Sequence, residues 1–70
     1  MSSEAFNMSL RKFLKTVGVT SQQEIEEAVR AARDAGRLPE GSVSAKVVLT
    51  IDAVGLSHEV TGEIEMPGVE

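Results

Sequence analysis

Seventy residues with no cysteine, one histidine, two phenylalanines and neither Trp nor Tyr exclude a disulfide framework, a thiolate metal site and an imidazole cluster. A net charge of −4 with 41% apolar residues makes the chain too hydrophobic for intrinsic disorder and too acidic overall for a general nucleic-acid binder. A chain this short buries only about 60% of the surface its unfolded form exposes, so a core of Val, Ile, Leu and Ala needs reinforcement, and good packing or self-association are the routes left open.

In chain order, Ser2 or Ser3 can cap a first helix over about residues 3–17. Its apolar residues Phe6, Leu10, Phe13, Leu14 and Val17 recur at helical spacing and form one stripe. Gly18 is expected to stop this helix, with Lys12 and Lys15 placed in its last turns to complement the C-terminal end of the dipole. Thr20 with Gln23 and Ser21 with Glu24 read as two overlapping capping boxes that start a second helix over about residues 21–36. There Ile25, Ala28, Val29, Ala32 and Ala35 form the expected buried stripe, and Glu26, Arg30 and Asp34 form a ladder of opposite charges on the solvent side. Gly36 and Pro39 end that helix, and Pro39-Glu40-Gly41-Ser42 connects it to a pair of strands.

From Val43 to Met66 the sequence alternates strictly, which predicts strands over about residues 43–53 and 56–66. Folded about Val54-Gly55, Ile51 faces His58, Leu49 faces Val60, Val47 faces Gly62, Ala45 faces Ile64 and Val43 faces Met66, so the apolar positions share one side. The other side pairs Asp52 with Ser57, Thr50 with Glu59, Val48 with Thr61 and Lys46 with Glu63. Residues 67–70 read as a frayed tail.

The expected fold class is therefore α+β, one small domain over residues 1–70. Two N-terminal helices pack on one face of a C-terminal antiparallel β-hairpin, an ααββ two-layer arrangement. Both hairpin edges are open, which allows two copies to pair into a four-stranded sheet across a homodimer. No apolar run approaches the ~20 residues needed to cross a bilayer, and the chain opens on Ser-Ser-Glu rather than on a basic and then apolar run. A cytoplasmic protein without a membrane span is expected.

The segment Ala5-Phe6-Asn7-Met8-Ser9-Leu10-Arg11-Lys12-Phe13-Leu14-Lys15, the Val17–Gln22 turn with Glu24-Ile25-Glu26, and Leu49-Thr50-Ile51 with His58-Glu59-Val60 carry a resemblance. The chain resembles a family of short, uncharacterised bacterial proteins classed as a domain of unknown function. The resemblance implies a bacterial, cytoplasmic, single-domain protein and brings no activity, cofactor or catalytic residue with it.

Four features bear on chemistry. His58 sits on the apolar face beside the turn without an adjacent nucleophile or second ligand, so a structural, partly covered histidine is expected. Glu59, Glu63 and Glu65 with Asp52 line a flat strand face without a wrapping loop, which suits solvation and control of edge association better than cation binding. Two helices joined by Gly18-Val19-Thr20 and followed by a hairpin resemble a DNA-binding helix-turn-helix, but the second helix opens with Glu24, Glu26 and Glu27, which would meet phosphates. That leaves a helix-turn-helix-like nucleic-acid-binding regulator as the alternative reading.

The fourth feature is the side of the first helix opposite its stripe. Met8 points away from the core, ringed by Arg11, Lys12 and Lys15. An adaptable apolar side chain among cations suits an acidic partner, an anionic lipid surface or the acidic hairpin of another copy. Charge is distributed to match: residues 1–20 carry Arg11, Lys12 and Lys15 against Glu4, a net of +2, whereas residues 43–70 sum to −4. The leading expectation is a small non-enzymatic protein-interaction module, self-associating, with no cofactor, no metal and an unknown protein partner.

Overall fold

The computed structural model describes residues 3–68. Their order is a helix α1 over Glu4–Asp34, a strand β1 over Ser42–Ile51, a single 3-10 turn over Asp52–Val54 and a strand β2 over Leu56–Glu65. The chain divides into a helical unit ending at Arg37 and a hairpin unit beginning at Leu38. The class is α+β, but there is one helix and not two: the ααββ arrangement is corrected to one long helix followed by a two-stranded antiparallel sheet.

The correction turns on Gly18, which lies inside α1 instead of ending it. A glycine in a helix interior costs about 1 kcal/mol relative to alanine. Stopping there would cost more, because the carbonyls of one end and the amides of the next would lose their partners and a second nucleus would have to form. No proline intervenes before Pro39 to force the break. Thr20, the expected cap, takes another role: its hydroxyl donates to the Thr16 carbonyl at 2.7 Å, as the Thr16 hydroxyl does to the Lys12 carbonyl at 3.0 Å. Each bonds back one turn within the helix rather than forward to a free amide.

The ends of α1 have identifiable causes. Ser3 is the N-cap residue, and its carbonyl accepts the Asn7 amide at 2.7 Å, while its side chain makes no capping bond. Ser2, the other candidate cap, lies outside the described residues. At the far end Gly36 has φ +72°, its amide donates to the Arg33 carbonyl at 3.0 Å and the Arg37 amide donates to the Ala32 carbonyl at 2.8 Å. That pair of bonds is a Schellman closure, which needs a left-handed residue where Gly36 stands. Pro39 then prevents resumption. The expected charge ladder Glu26, Arg30 and Asp34 makes no ion pair among the described residues; the Glu26 carboxylate instead accepts the Gln22 amide at 3.4 Å.

In the hairpin, Ile51 faces Leu56, Leu49 faces His58, Val47 faces Val60, Ala45 faces Gly62 and Val43 faces Ile64. This register differs by two residues from the pairing about Val54-Gly55, and the strands end at Ile51 and Glu65 instead of at 53 and 66. A two-residue turn at Val54-Gly55 would put both residues at positive φ, a heavy cost for β-branched Val54. The chain uses a four-residue connection, Asp52–Gly55, in which only Gly55 is left-handed, with φ +65°, and its amide donates to the Asp52 carbonyl at 3.1 Å. A two-residue slip preserves the pleat, so the same apolar side chains share a face although every partner has changed.

Met66, expected to pair with Val43, lies just past β2, and its amide donates to the Gly41 carbonyl at 2.8 Å. Pro67 and Gly68 have no regular structure, and residues 69–70 of the expected tail lie outside the described residues. No described residue is buried. One helix has a single apolar stripe and one two-stranded ribbon a single apolar face, and neither element can enclose a core by itself.

Candidate functional site

The face carrying Met8, Arg11, Lys12 and Lys15 belongs to the first half of α1. At about 100° per residue, Lys15 and Arg11 lie about 20° and about 60° from the Met8 direction on one flank, and Lys12 lies about 40° from it on the other. All four are exposed, Met8 at 67%. The apolar residues Phe6, Leu10, Phe13, Leu14 and Val17 occupy the opposite side. None of the three cations is in an ion pair among the described residues, so their charge is available to an external partner.

Continuity of α1 extends this face beyond its expected end. Val19 lies eleven residues after Met8, about 20° round the helix from it, and is 49% exposed. Sequence reasoning misses Val19 because it assigns Gly18 to a helix stop, although the eleven-residue spacing from Met8 is there to be read. Arg30 and Arg33 continue the same side, interrupted by Glu26. The face thus consists of an apolar pair, Met8 and Val19, with cations between and around it.

The continuous helix also removes the turn at Gly18-Val19-Thr20, and with it the two-helix geometry on which the helix-turn-helix comparison depended. Among the described residues no helix is long and apolar enough to cross a membrane.

The hairpin supplies the second surface. His58 is exposed and faces Leu49, which corrects the expectation of a partly covered side chain opposite Ile51. Val47, Ile51, Leu56 and Val60 on the same face each remain more than two-fifths exposed. On the other face Lys46 now faces Thr61 and Val48 faces Glu59, and the Lys46 ammonium reaches diagonally to the Glu59 carboxylate at 3.5 Å. No three of the described His, Asp and Glu residues come together as a group able to hold a metal ion.

A helix with an apolar stripe and an opposed basic face, followed by an acidic hairpin with an apolar side, defines a small α+β protein. Residues 1–67 match the family described as "Family of unknown function (DUF6494)", and the chain belongs to that family. No curated protein and no solved structure matches it significantly.

Proposed function

We propose that this protein is a small non-enzymatic interaction module of the bacterial cytoplasm. It binds an acidic protein surface through Met8, Arg11, Lys12 and Lys15 on α1, and it self-associates. The observation that carries the reading is Met8, exposed at 67% in the middle of three cations that have no ion-pair partner among the described residues. A methionine adapts its shape to an apolar contact, and the surrounding cations add orientation and rate of encounter with an acidic surface. Absence of cysteine suits a reducing compartment. Self-association is supported by the exposed apolar side chains of α1 and of the hairpin, among them Phe6, Phe13, Val47 and Val60.

The test is affinity capture from a bacterial lysate by the tagged chain, beside a variant carrying Met8→Ser, Arg11→Gln, Lys12→Gln and Lys15→Gln. Circular dichroism establishes first that the variant keeps its helix. A protein retained by the native chain, released by raised salt and absent from the variant is the expected result. Capture of the same proteins by both chains would overturn the assignment to this face.

A further inference from the structure

We infer that the apolar stripe of α1 is an antiparallel pairing surface for α1 of a second copy of this chain, an inference that rests on the self-association half of the proposed function. Because α1 runs unbroken from Glu4 to Asp34, its two expected stripes join into one. Phe6, Leu10, Leu14, Val17, Ser21, Ile25, Ala28 and Ala32 follow at intervals of 4, 4, 3, 4, 4, 3 and 4 residues. That is an eleven-residue repeat of about 3.67 residues per turn, close enough to the helix's own period that the stripe stays on one side along its length. Phe6 is 62% exposed, Leu14 48% and Ile25 42%, and Val17, Ser21 and Ala32 are half-buried, so α1 does not bury its own stripe.

Three properties select a second copy, and its direction. Length is the first: the stripe runs for about 39 Å at 1.5 Å per residue, a span that an equal helix matches. A ten-residue strand reaches only about 33 Å. Side-chain size is the second. The N-terminal end of the stripe is bulky, with Phe6, Leu10 and Leu14, and beyond Ile25 the C-terminal end is small, with Ala28 and Ala32. Inverting a second helix about the middle of α1, near Val19, sets Phe6 against Ala32, Leu10 against Ala28 and Val17 against Ser21. Large then meets small at both ends of the seam, as close packing of two helices requires, while Leu14 and Ile25 adjoin each other nearer its middle. A parallel pair would crowd the phenylalanines together and leave alanine facing alanine.

Charge is the third. Residues 4–20 of α1 carry a net of +2, and residues 21–34, with Glu24, Glu26, Glu27 and Asp34 against Arg30 and Arg33, carry −2. The antiparallel pair brings unlike halves together and the parallel pair brings like halves together.

The purified full-length chain tests this directly, since it has no native cysteine to confuse a crosslink. Leu10→Cys and Ala28→Cys variants are each oxidised alone and then as a mixture. The expected result is a disulfide-linked pair from the mixture, far more abundant than the product of either variant alone. Crosslinking of Leu10→Cys mainly to itself would establish a parallel pair, and an absence of crosslinks in all three samples would remove the helix pairing; either overturns the inference. Sedimentation equilibrium at micromolar concentration gives the independent reading. The native chain is expected at twice its monomer mass and a Leu14→Glu variant, checked for helicity, at the monomer mass. A native monomer, or a dimer that Leu14→Glu leaves unchanged, overturns the proposal as well. These readings use no partner protein, so their failure is separable from failure of the basic-face contact, which only the capture experiment tests.

Discussion

Lys46 and Glu59 sit diagonally across the hairpin, Nζ 3.5 Å from Oε2, and Lys46 is the only cation between Leu38 and Glu70. The two-residue slip of the register put them there: Lys46 faces Thr61 directly, and Glu59 is the diagonal neighbour that its long side chain reaches. Both side chains are more than half exposed, so solvent and salt weaken the attraction. Replacing Lys46 by Ala is expected to cost about 0.5 kcal/mol or less. Thermal unfolding of native and variant chains at low and high salt checks this, and the difference should shrink as salt rises.

Gly18 offers the clearest test of helix continuity. A Cβ built on it meets nothing within 4 Å, and its backbone is helical. Gly18→Ala should stabilise the chain by about 1 kcal/mol and raise helicity, whereas Gly18→Pro should cost about 3 kcal/mol. Far-ultraviolet circular dichroism with urea unfolding reads both. A loss of helix in Gly18→Ala would show that the chain turns at this position.

Thr20 separates a cap from an interior residue. Its hydroxyl bonds back to the Thr16 carbonyl, so Thr20→Ala exchanges a poor helix former for the best one and should gain up to about 0.5 kcal/mol. Loss of an N-cap would instead cost about 1 kcal/mol. The sign of the change in urea midpoint decides between the two arrangements.

Gly55 and Gly62 are both hairpin glycines with opposite expected responses. Gly55 has φ +65°, so Gly55→Ala forces a side chain into the left-handed region and should cost about 1 kcal/mol, with Gly55→Asn recovering part of it. Gly62 is an extended strand residue facing Ala45, and a Cβ there meets nothing within 4 Å. Gly62→Ala should be neutral or stabilising by a few tenths of a kcal/mol, since a strand glycine loses more chain entropy on folding than alanine does. Unfolding of the two variants under one set of conditions gives the comparison.

The basic face was legible in the sequence as far as Lys15 and no further. Met8, Arg11, Lys12 and Lys15 share a side in any helix that includes them, because the helical period alone decides it. The spacing of Val19 from Met8 was legible, but its membership of the face was not, since that depends on whether the helix survives Gly18. That is a competition between about 1 kcal/mol of local propensity and the cost of making two new helix ends, and local signals such as Thr20-Ser21 report only one side of it. The acidic character of the hairpin face was legible, but the partner of Lys46 was not, because strand periodicity sets the face of a residue and not its register.

Residue order alone specifies the α+β class, the helix end at Gly36, the sides on which apolar and charged residues lie and the family to which the chain belongs. Periodicity, a left-handed glycine and proline act within a few residues, so a one-dimensional reading captures them. The folded chain adds that α1 is one helix of 31 residues, that the hairpin pairs Ile51 with Leu56 through a four-residue loop, and that Lys46 reaches Glu59. Each of those outcomes weighs a local preference against costs spread over the whole element: helix ends and nucleation for Gly18, and the conformational cost of Val54 at positive φ for the turn.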